Sequence, residues 1–554
     1  MLRRRNKRRI VELNPDEILL DARNLPAFDR QQFEGRIERP INKRSLYGLV
    51  IVMLGVAVLF TGRLGYLQIA RADYYEKKSE MNSLDHTPII ADRGVIYDRN
   101  GVELAWNEAP ADGGPTIRSY IDKPGFANLL GYVSYPTKDA KGKYWQFQTV
   151  GKDGIEQQFN KTLAGKNGTK LIETDVEGNI LAENAIDAPQ QGENLTLTID
   201  ARVQETLASG IEALAHQSGY VGGAGAVMNI RTGELLAMTT YPEYNQHILS
   251  EGSDAETIKG YFNSKSRPFL NRMIDGLYTP GSIVKPFMSL AALNEGVITP
   301  TKVLHTTGEL RIANPYNPGQ YSVFKDNKDH GDVDMKKALA KSSNVYFYEV
   351  GGGFGDQPGL GINNIEKYMS LFGIGKKTGF SSSEMTGTVP SIAWKAKAFP
   401  GDPWRIGDTY HTSIGQYGFQ VTPIQMLRAV AGIASRGTLV TPSIIPGKHG
   451  GAETLPFTDA QYDAVYAGMR AVVIEGTAPS LNIPELAVAA KTGTAQIKGN
   501  TRVNSWAIGF FPYEHPQYAF VVVMEDGPLI ESSAANAFKT TAQLFGATPE
   551  LLTQ

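Results

Sequence analysis

Residues 46–62 read LYGLVIVMLGVAVLFTG and carry no charge. A helix that crosses a bilayer needs about 20 mostly apolar residues, with a usable range of roughly 17–25. The run qualifies if Arg63 snorkels to the outer interface; the competing reading is a buried core helix. RRRNKRR at positions 3–9, then Lys43 and Arg44, flank the run on its N-terminal side. Basic flanks stay in the cytoplasm, so the tail is predicted inside and everything after Ile69 outside. Ala70-Arg71-Ala72 resembles a signal-peptidase site, but a cleaved signal has a short basic region, so an uncleaved anchor is expected.

The remainder is too long for one core, and the 554 residues together suggest two to four domains. A formal net charge of −2 gives no electrostatic footprint for nucleic acid. With no cysteine, disulfides, thiolate catalysis and Cys-based zinc sites are excluded.

Two modules follow the anchor. Residues 69–190 are rich in Gly, Asp, Asn and Lys, with short strand-like runs such as GVIYD and KLIETDVEGNIL. Asn100-Gly101, Asp112-Gly113, Asn167-Gly168 and Glu177-Gly178 read as turns. A β-rich, irregular module with little core of its own is expected. From about Gly192 the pattern changes: NLTLTID alternates like a strand and ARVQETLASGIEALAHQ has helical spacing. GAGAVMNI and ELLAMTTY, joined by Arg231-Thr232-Gly233, read as a hairpin. WAIGFF and YAFVVVME, joined by PYEHPQ, are two more strands, and MKKALAKSSNVYFYEV has a helical pattern. Thr422-Pro423-Ile424-Gln425 fits a helix start, with capping Thr, Pro at the first position and Gln three after the cap. That helix is predicted to run to about Ser435 and to stop near Gly437. Helices in the middle and strands at both ends give an α+β domain whose antiparallel sheet joins sequence-distant segments.

Three short motifs occur in order in this second module. They are Ser282-Ile283-Val284-Lys285, Ser342-Ser343-Asn344 and Lys491-Thr492-Gly493-Thr494. Pro280-Gly281 ends a loop, so Ser282 falls in the first turn of a helix, where free N–H groups favour a developing oxyanion. Lys285 shares its face. A hydroxyl is a weak nucleophile and needs a base; lysine serves if burial or a positive neighbour, such as Lys491, lowers its pKa. Pro286 is tolerated in the first turn. The small Gly493 lets a substrate backbone lie against a strand opened by AVAA. Ser322-Val323-Phe324-Lys325 and Lys377-Thr378-Gly379 fit the first and third patterns too, but their polar or Gly-broken surroundings predict loops.

Together these motifs resemble those of the penicillin-recognising serine transferases, and the likeness extends over roughly residues 46–530. RGVIYDRNGVELAWN at 93–107 and GKDGIEQQFNKTLAGKNG at 151–168 resemble segments of class B penicillin-binding proteins. So do NLTLTIDARVQ, MNIRTGELLAMTTYP, NRMIDGLYTPGSIVKPF, SIGQYGFQVTPIQM and NSWAIGFFP. The chain is most similar to the elongation-type branch, penicillin-binding protein 2. The resemblance implies a cytoplasmic tail (1–45), an anchor (46–68), a pedestal or dimerisation module (69–190) and a transpeptidase domain (191–554) in the bacterial cytoplasmic membrane. It implies that Ser282 attacks a D-Ala–D-Ala stem peptide, Lys285 takes the serine proton, and Ser342 and Asn344 pass protons and hold the substrate amide. Lys491 and Thr492 would bind the terminal carboxylate with Thr494 assisting, beside Gly493. The N–H groups of Ser282 and Thr494 would form an oxyanion hole, a contribution of about 3–4 kcal/mol per donor. An amine from a neighbouring strand accepts the acyl group, β-lactams acylate the same serine, and a SEDS-type glycan polymerase is the membrane partner. No cofactor is implied.

The alternatives are a division-type class B member, a D,D-carboxypeptidase or β-lactamase-like hydrolase, and a non-catalytic scaffold. Some elongation-type relatives hold zinc beside the site through Asp, His and Cys. Here Asp326, Asp329, His330 and Asp332 cluster without a Cys; a solvated acidic loop is expected, with a metal site completed by carboxylates alone as the alternative.

Overall fold

Period-2 burial organises the central sheet. Ile508, Phe510, Val521 and Val523 face one core, while Ala507, Phe520, Val522 and Met524 face another. Five antiparallel strands make the sheet in the order Leu235–Tyr241, Gly222–Asn229, Tyr518–Pro528, Arg502–Phe511, Ala489–Ile497. The helices Ala201–Ser218 and Ala535–Ala547 supply Leu207, Ile211, Phe538 and Phe545 to one face. The helix Pro423–Ala434, buried along its whole length, covers the other. The fold is α+β, with the two ends of the second module meeting in one sheet as expected.

This computed structural model describes residues 43–71, 85–110, 116–140, 144–174, 180–314, 316–448, 450–529 and 533–552. The basic tail at 3–9 and the turns at Asp112-Gly113 and Glu177-Gly178 lie outside them. Residues 1–85 form one unit and 86–554 another. In the first, a helix spans Lys43–Gly65, and its stretch Tyr47–Gly65 is long and apolar enough to cross a membrane. No residue of that stretch is buried, which disfavours a core helix.

In the second unit, the irregular module contains a hairpin of Gly168–Thr174 with Ile180–Asp187. It also supplies three strands of a four-stranded sheet ordered Leu195–Thr196, Ile96–Tyr97, Glu103–Glu108, Ile117–Tyr120, the first strand coming from the second module. The irregular module's apolar residues Ile96, Leu104, Phe126 and Leu130 belong to the same core cluster as Phe287 and Ile508, so this module shares its core with the part of the chain that carries the five-stranded sheet. Buried Glu156 pairs with Arg93 at 2.5 Å and Arg118 at 2.7 Å, tying three chain segments together.

Four expectations need correction. The pattern MKKALAKSSNVYFYEV is two helices, Met335–Lys341 and Asn344–Gly352, because Ser342 adopts φ +58° and ends the first. Ser322–Lys325 is no loop: Tyr321–Lys325 pairs with Glu309–Ala313 in a hairpin whose exposed face explains its polarity. Asn167-Gly168 is not a hairpin turn, since Asn167 Oδ1 accepts from the Ala91 N–H and Gly168 opens a strand. NLTLTID contributes only the short strand Leu195–Thr196, parallel to Ile96–Tyr97.

The Thr422 helix start is present as read, with a reciprocal capping box between Thr422 and Gln425. Thr422→Ala should lower stability by about 1 kcal/mol, read as a drop in the urea midpoint, with Thr422→Ser close to the parent.

Candidate active site

The turn carrying Ser282 is held from three sides. Tyr278 pairs with Val421, and Trp506 Nε1 donates to the Thr279 carbonyl at 3.0 Å. Gly281, at φ +59°, donates its N–H to the Gly415 carbonyl at 3.0 Å. A left-handed residue at this point favours glycine and lets the chain enter a 3-10 turn, Gly281–Val284, that continues as the helix Lys285–Asn294. Pro286 sits in its first turn, where no N–H is missed. Ser282 is half-buried and Lys285 fully buried.

The second motif forms the break between two helices. Ser342 caps Met335–Lys341 in the left-handed region, and Ser343 caps the next helix by accepting from the Tyr346 N–H. The kink turns the carbonyl of Ser342 and the amide oxygen of Asn344 onto Lys285, whose Nζ donates to them at 2.6 and 2.8 Å. The third motif lies on the edge strand Ala489–Ile497. From there Lys491 Nζ donates to Ser342 Oγ at 2.9 Å. A Cβ at Gly493 would lie 2.9 Å from the Pro280 carbonyl oxygen and 3.0 Å from Ile283 Cγ2. The missing side chain thus makes room for the Ser282 turn itself. Thr492 Oγ1 lies 2.5 Å from Thr477 Oγ1, and Thr494 is exposed on the strand.

Burial, the larger effect, pushes the Lys285 ammonium down to about 7, with the Asp326 carboxylate opposing it. Lys491 is held well below the ordinary lysine range, first by burial and then by the charge of Lys285. The repulsion between the two lysines is therefore felt at Lys491, and the expected help from Lys491 at Lys285 gives way to desolvation. Among the described residues Ser282 Oγ makes no hydrogen bond, in keeping with resting catalytic contacts that tighten only with substrate.

Lys285, Ser342, Asn344 and Lys491 thus form one hydrogen-bonded group, and the Ser282 turn packs against Gly493. The two look-alike motifs stand apart: Thr378 donates its N–H and hydroxyl to Glu384 at 2.8 and 2.7 Å inside a loop, and Ser322 lies on an exposed hairpin. Two neighbours escaped the sequence reading. Thr477 carries no motif signal, and Asp326 was assigned to solvent. Its side chain is in fact fully enclosed, as is that of His330, while Asp329 and Asp332 are exposed. Among the described residues no three His, Cys, Asp or Glu side chains are placed to hold a metal ion, and the Asp326 carboxylate is already engaged by Ser343 and Val345. These residues do not fit a zinc site.

Residues 223–547 match the penicillin binding protein transpeptidase domain, and residues 115–197 the penicillin-binding protein dimerisation domain. The peptidoglycan D,D-transpeptidase MrdA of Salmonella typhimurium is 28% identical, over 87% of this chain and 92% of its own length. The structure of Pseudomonas aeruginosa PBP2 in complex with WCK 5153 superposes with a TM-score of 0.67 at 28% identity, covering 83% of this chain and 96% of that one. That of Helicobacter pylori PBP2 in complex with MreC gives 0.68 at 27% identity, covering 85% and 99%. An enclosed lysine pair bridged by Ser342 behind a half-buried serine turn, in a chain whose larger part matches this domain, places the protein in the penicillin-binding protein transpeptidase family.

Proposed function

We propose that the chain is a peptidoglycan D,D-transpeptidase of the elongation type, working through a serine acyl-enzyme. The observation that carries this reading is the bonding of Lys285 and Lys491 to one residue, Ser342, beside the Ser282 turn. The likeness to MrdA and to PBP2 structures supports the elongation assignment. Ser282 Oγ attacks the carbonyl carbon of the penultimate D-Ala, and its proton passes to Lys285. Lysine near neutrality accepts that proton at working pH. The N–H groups of Ser282 and Thr494 face the oxyanion. As the C–N bond breaks, the departing D-Ala amine takes back a proton through Ser342. An acceptor amine then attacks the ester carbonyl and gives a proton to Lys285; the bond from carbon to Ser282 Oγ breaks, and Oγ takes that proton back, leaving the cross-link and the free serine.

Lys491 enters substrate-free and poorly disposed to hold charge. The terminal carboxylate supplies the counter-charge that stabilises its ammonium, with Thr492 and Thr494 alongside and Gly493 keeping the strand close. In this reading residues 1–45 are a cytoplasmic tail, 46–68 the anchor, 69–190 the pedestal and 191–554 the transpeptidase domain outside the membrane. The pedestal and anchor contact a SEDS-type glycan polymerase. A structure described as a peptidoglycan synthase complex coordinating polymerization and crosslinking contains a chain similar to this one, with TM-score 0.68 and 25% identity.

Fluorescent penicillin tests the chemistry on the full chain in detergent. Stable label that maps to the Ser282 peptide and is missing from Ser282→Ala is the expected result. Turnover of the β-lactam many times per second would identify a hydrolase instead.

A further inference from the structure

Asp326 follows the strand Tyr321–Lys325, and its backbone N–H is pinned to the Gly308 carbonyl at 2.8 Å. Its side chain is fully enclosed. A single oxygen, Oδ2, accepts two bonds: from the hydroxyl of Ser343 at 2.7 Å and from the N–H of Val345 at 2.9 Å. These are the residues on either side of Asn344, and Ser343 directly follows Ser342. Ser342 has φ +58°, a conformation that costs free energy in a residue with a Cβ and persists where its surroundings over-determine it. The Asp326 bonds supply that determination from a separate element. They fix both neighbours of Asn344, and so aim the Ser342 carbonyl and the Asn344 amide oxygen at Lys285.

We infer that Asp326 is a positioning residue for the transpeptidation site, clamping Ser343 and Val345 so that Ser342 and Asn344 stay on Lys285. This rests on the reading of Lys285 as the base. A neutral acceptor would make the same two hydrogen bonds more weakly, and the buried charge has a second consequence. Several groups face Lys285. Asp326 and His330 lie on the loop after Lys325, Ser342 and Asn344 on the helix break, Lys491 on the edge strand, and the Phe347 ring has its centroid 5.4 Å from Nζ. Among them Asp326 is the carboxylate that favours the protonated form of Lys285. Removing its charge therefore moves the pH at which the base is freed to lower values.

The test is the rate of acylation by fluorescent penicillin against pH, using the full-length chain and its Asp326→Asn, Ser343→Ala and Ser282→Ala variants, each checked for folding by thermal melting. Asp326→Asn should lower the high-pH plateau roughly ten- to a hundredfold, the scale of a misaligned site, and shift the rising limb to lower pH. Ser343→Ala, which breaks one clamp bond and keeps the charge, should lower the plateau and leave the limb in place. A folded Asp326→Asn with a parental plateau, or with an unmoved limb, overturns the proposal. If Asp326→Asn does not fold, Ser343→Ala decides: a reduced plateau supports the clamp and a parental plateau overturns it. Absence of label on the parent, or label on Ser282→Ala equal to the parent's, would instead tell against the serine acyl-enzyme reading and is distinguishable from both.

Discussion

Lys285→Met should slow acylation by a β-lactam about a thousandfold, inside the range of roughly 10²–10⁴ that a positioned general base contributes, and the chain should remain folded. Methionine has nearly the length of the lysine stem and brings no charge into a side chain that is fully buried. The pH profile separates loss of a base from loss of shape. In the parent, burial sets the Lys285 ammonium at about 7. The neutral, proton-accepting amine is scarce below that pH and dominant above it, so the parental rate should climb through pH about 7 and then level. Lys285→Met has no group to free and should give a flat, low profile over the same interval. Stopped-flow acylation with matched melting curves measures both. A variant that acylates within about tenfold of the parent, or that keeps the rising limb, would remove Lys285 from the role of base. Lys491 is buried too, but it feels the charge of Lys285 as well as desolvation, so any limb surviving in Lys285→Met would point to it.

Much of this site was legible in the sequence because the residues that the fold brings together are motif residues whose local structure has strong signals. Pro280-Gly281 marks the turn before Ser282, the run AVAA marks a strand leading into Lys491, and Thr422 with Pro423 and Gln425 marks a helix start. What could not be read is set by long-range packing. The stretch 335–350 is helical in composition throughout, and its break at Ser342 is imposed by contacts to Lys285, Lys491 and Asp326. Gly493 was read as room for substrate, but Pro280 and Ile283, more than 200 residues away in the chain, already occupy the space beside it. Asp326 looks like one more acid in a polar loop. Only the tertiary fold reveals that it is enclosed and spoken for. The irregular module's reliance on a shared core has the same origin, since Ile96 and Phe287 join one cluster from widely separated parts of the sequence.

The pedestal offers the largest expected change in stability. Glu156→Ala should destabilise the fold by about 3–5 kcal/mol, the usual result of removing one partner from a buried ion cluster. Glu156 is fully enclosed between two guanidinium groups that are themselves only 3% and 1% exposed. Arg93 retains backbone acceptors at Thr149 and Glu156 after the substitution, at 3.0 and 2.9 Å. Arg118 is worse placed: its Nη1 reaches Asn107 Oδ1 at 3.3 Å and its Nη2 is buried with no partner even in the parent. Two like charges would then face each other without a carboxylate between them, and relaxation toward water would pull apart the segments around residues 93, 118 and 156. Since that region shares its core with the five-stranded sheet, the loss should appear as a lower melting temperature for acylation competence as well as for bulk unfolding, by about 2–4 °C per kcal/mol. Glu156→Gln should fall between parent and Ala, because it keeps two acceptor lone pairs but no charge. Arg93→Met, Arg118→Met and Glu156→Leu combined should recover most of the loss, since an apolar replacement of a whole buried ion cluster is often neutral or better. If Glu156→Ala shifts stability by less than about 1 kcal/mol, the cluster is reached by water and does not clamp the pedestal. If the combined variant is as unstable as Glu156→Ala, the geometry of the three charged groups, and not the mere avoidance of unpaired charge, is what holds these segments together.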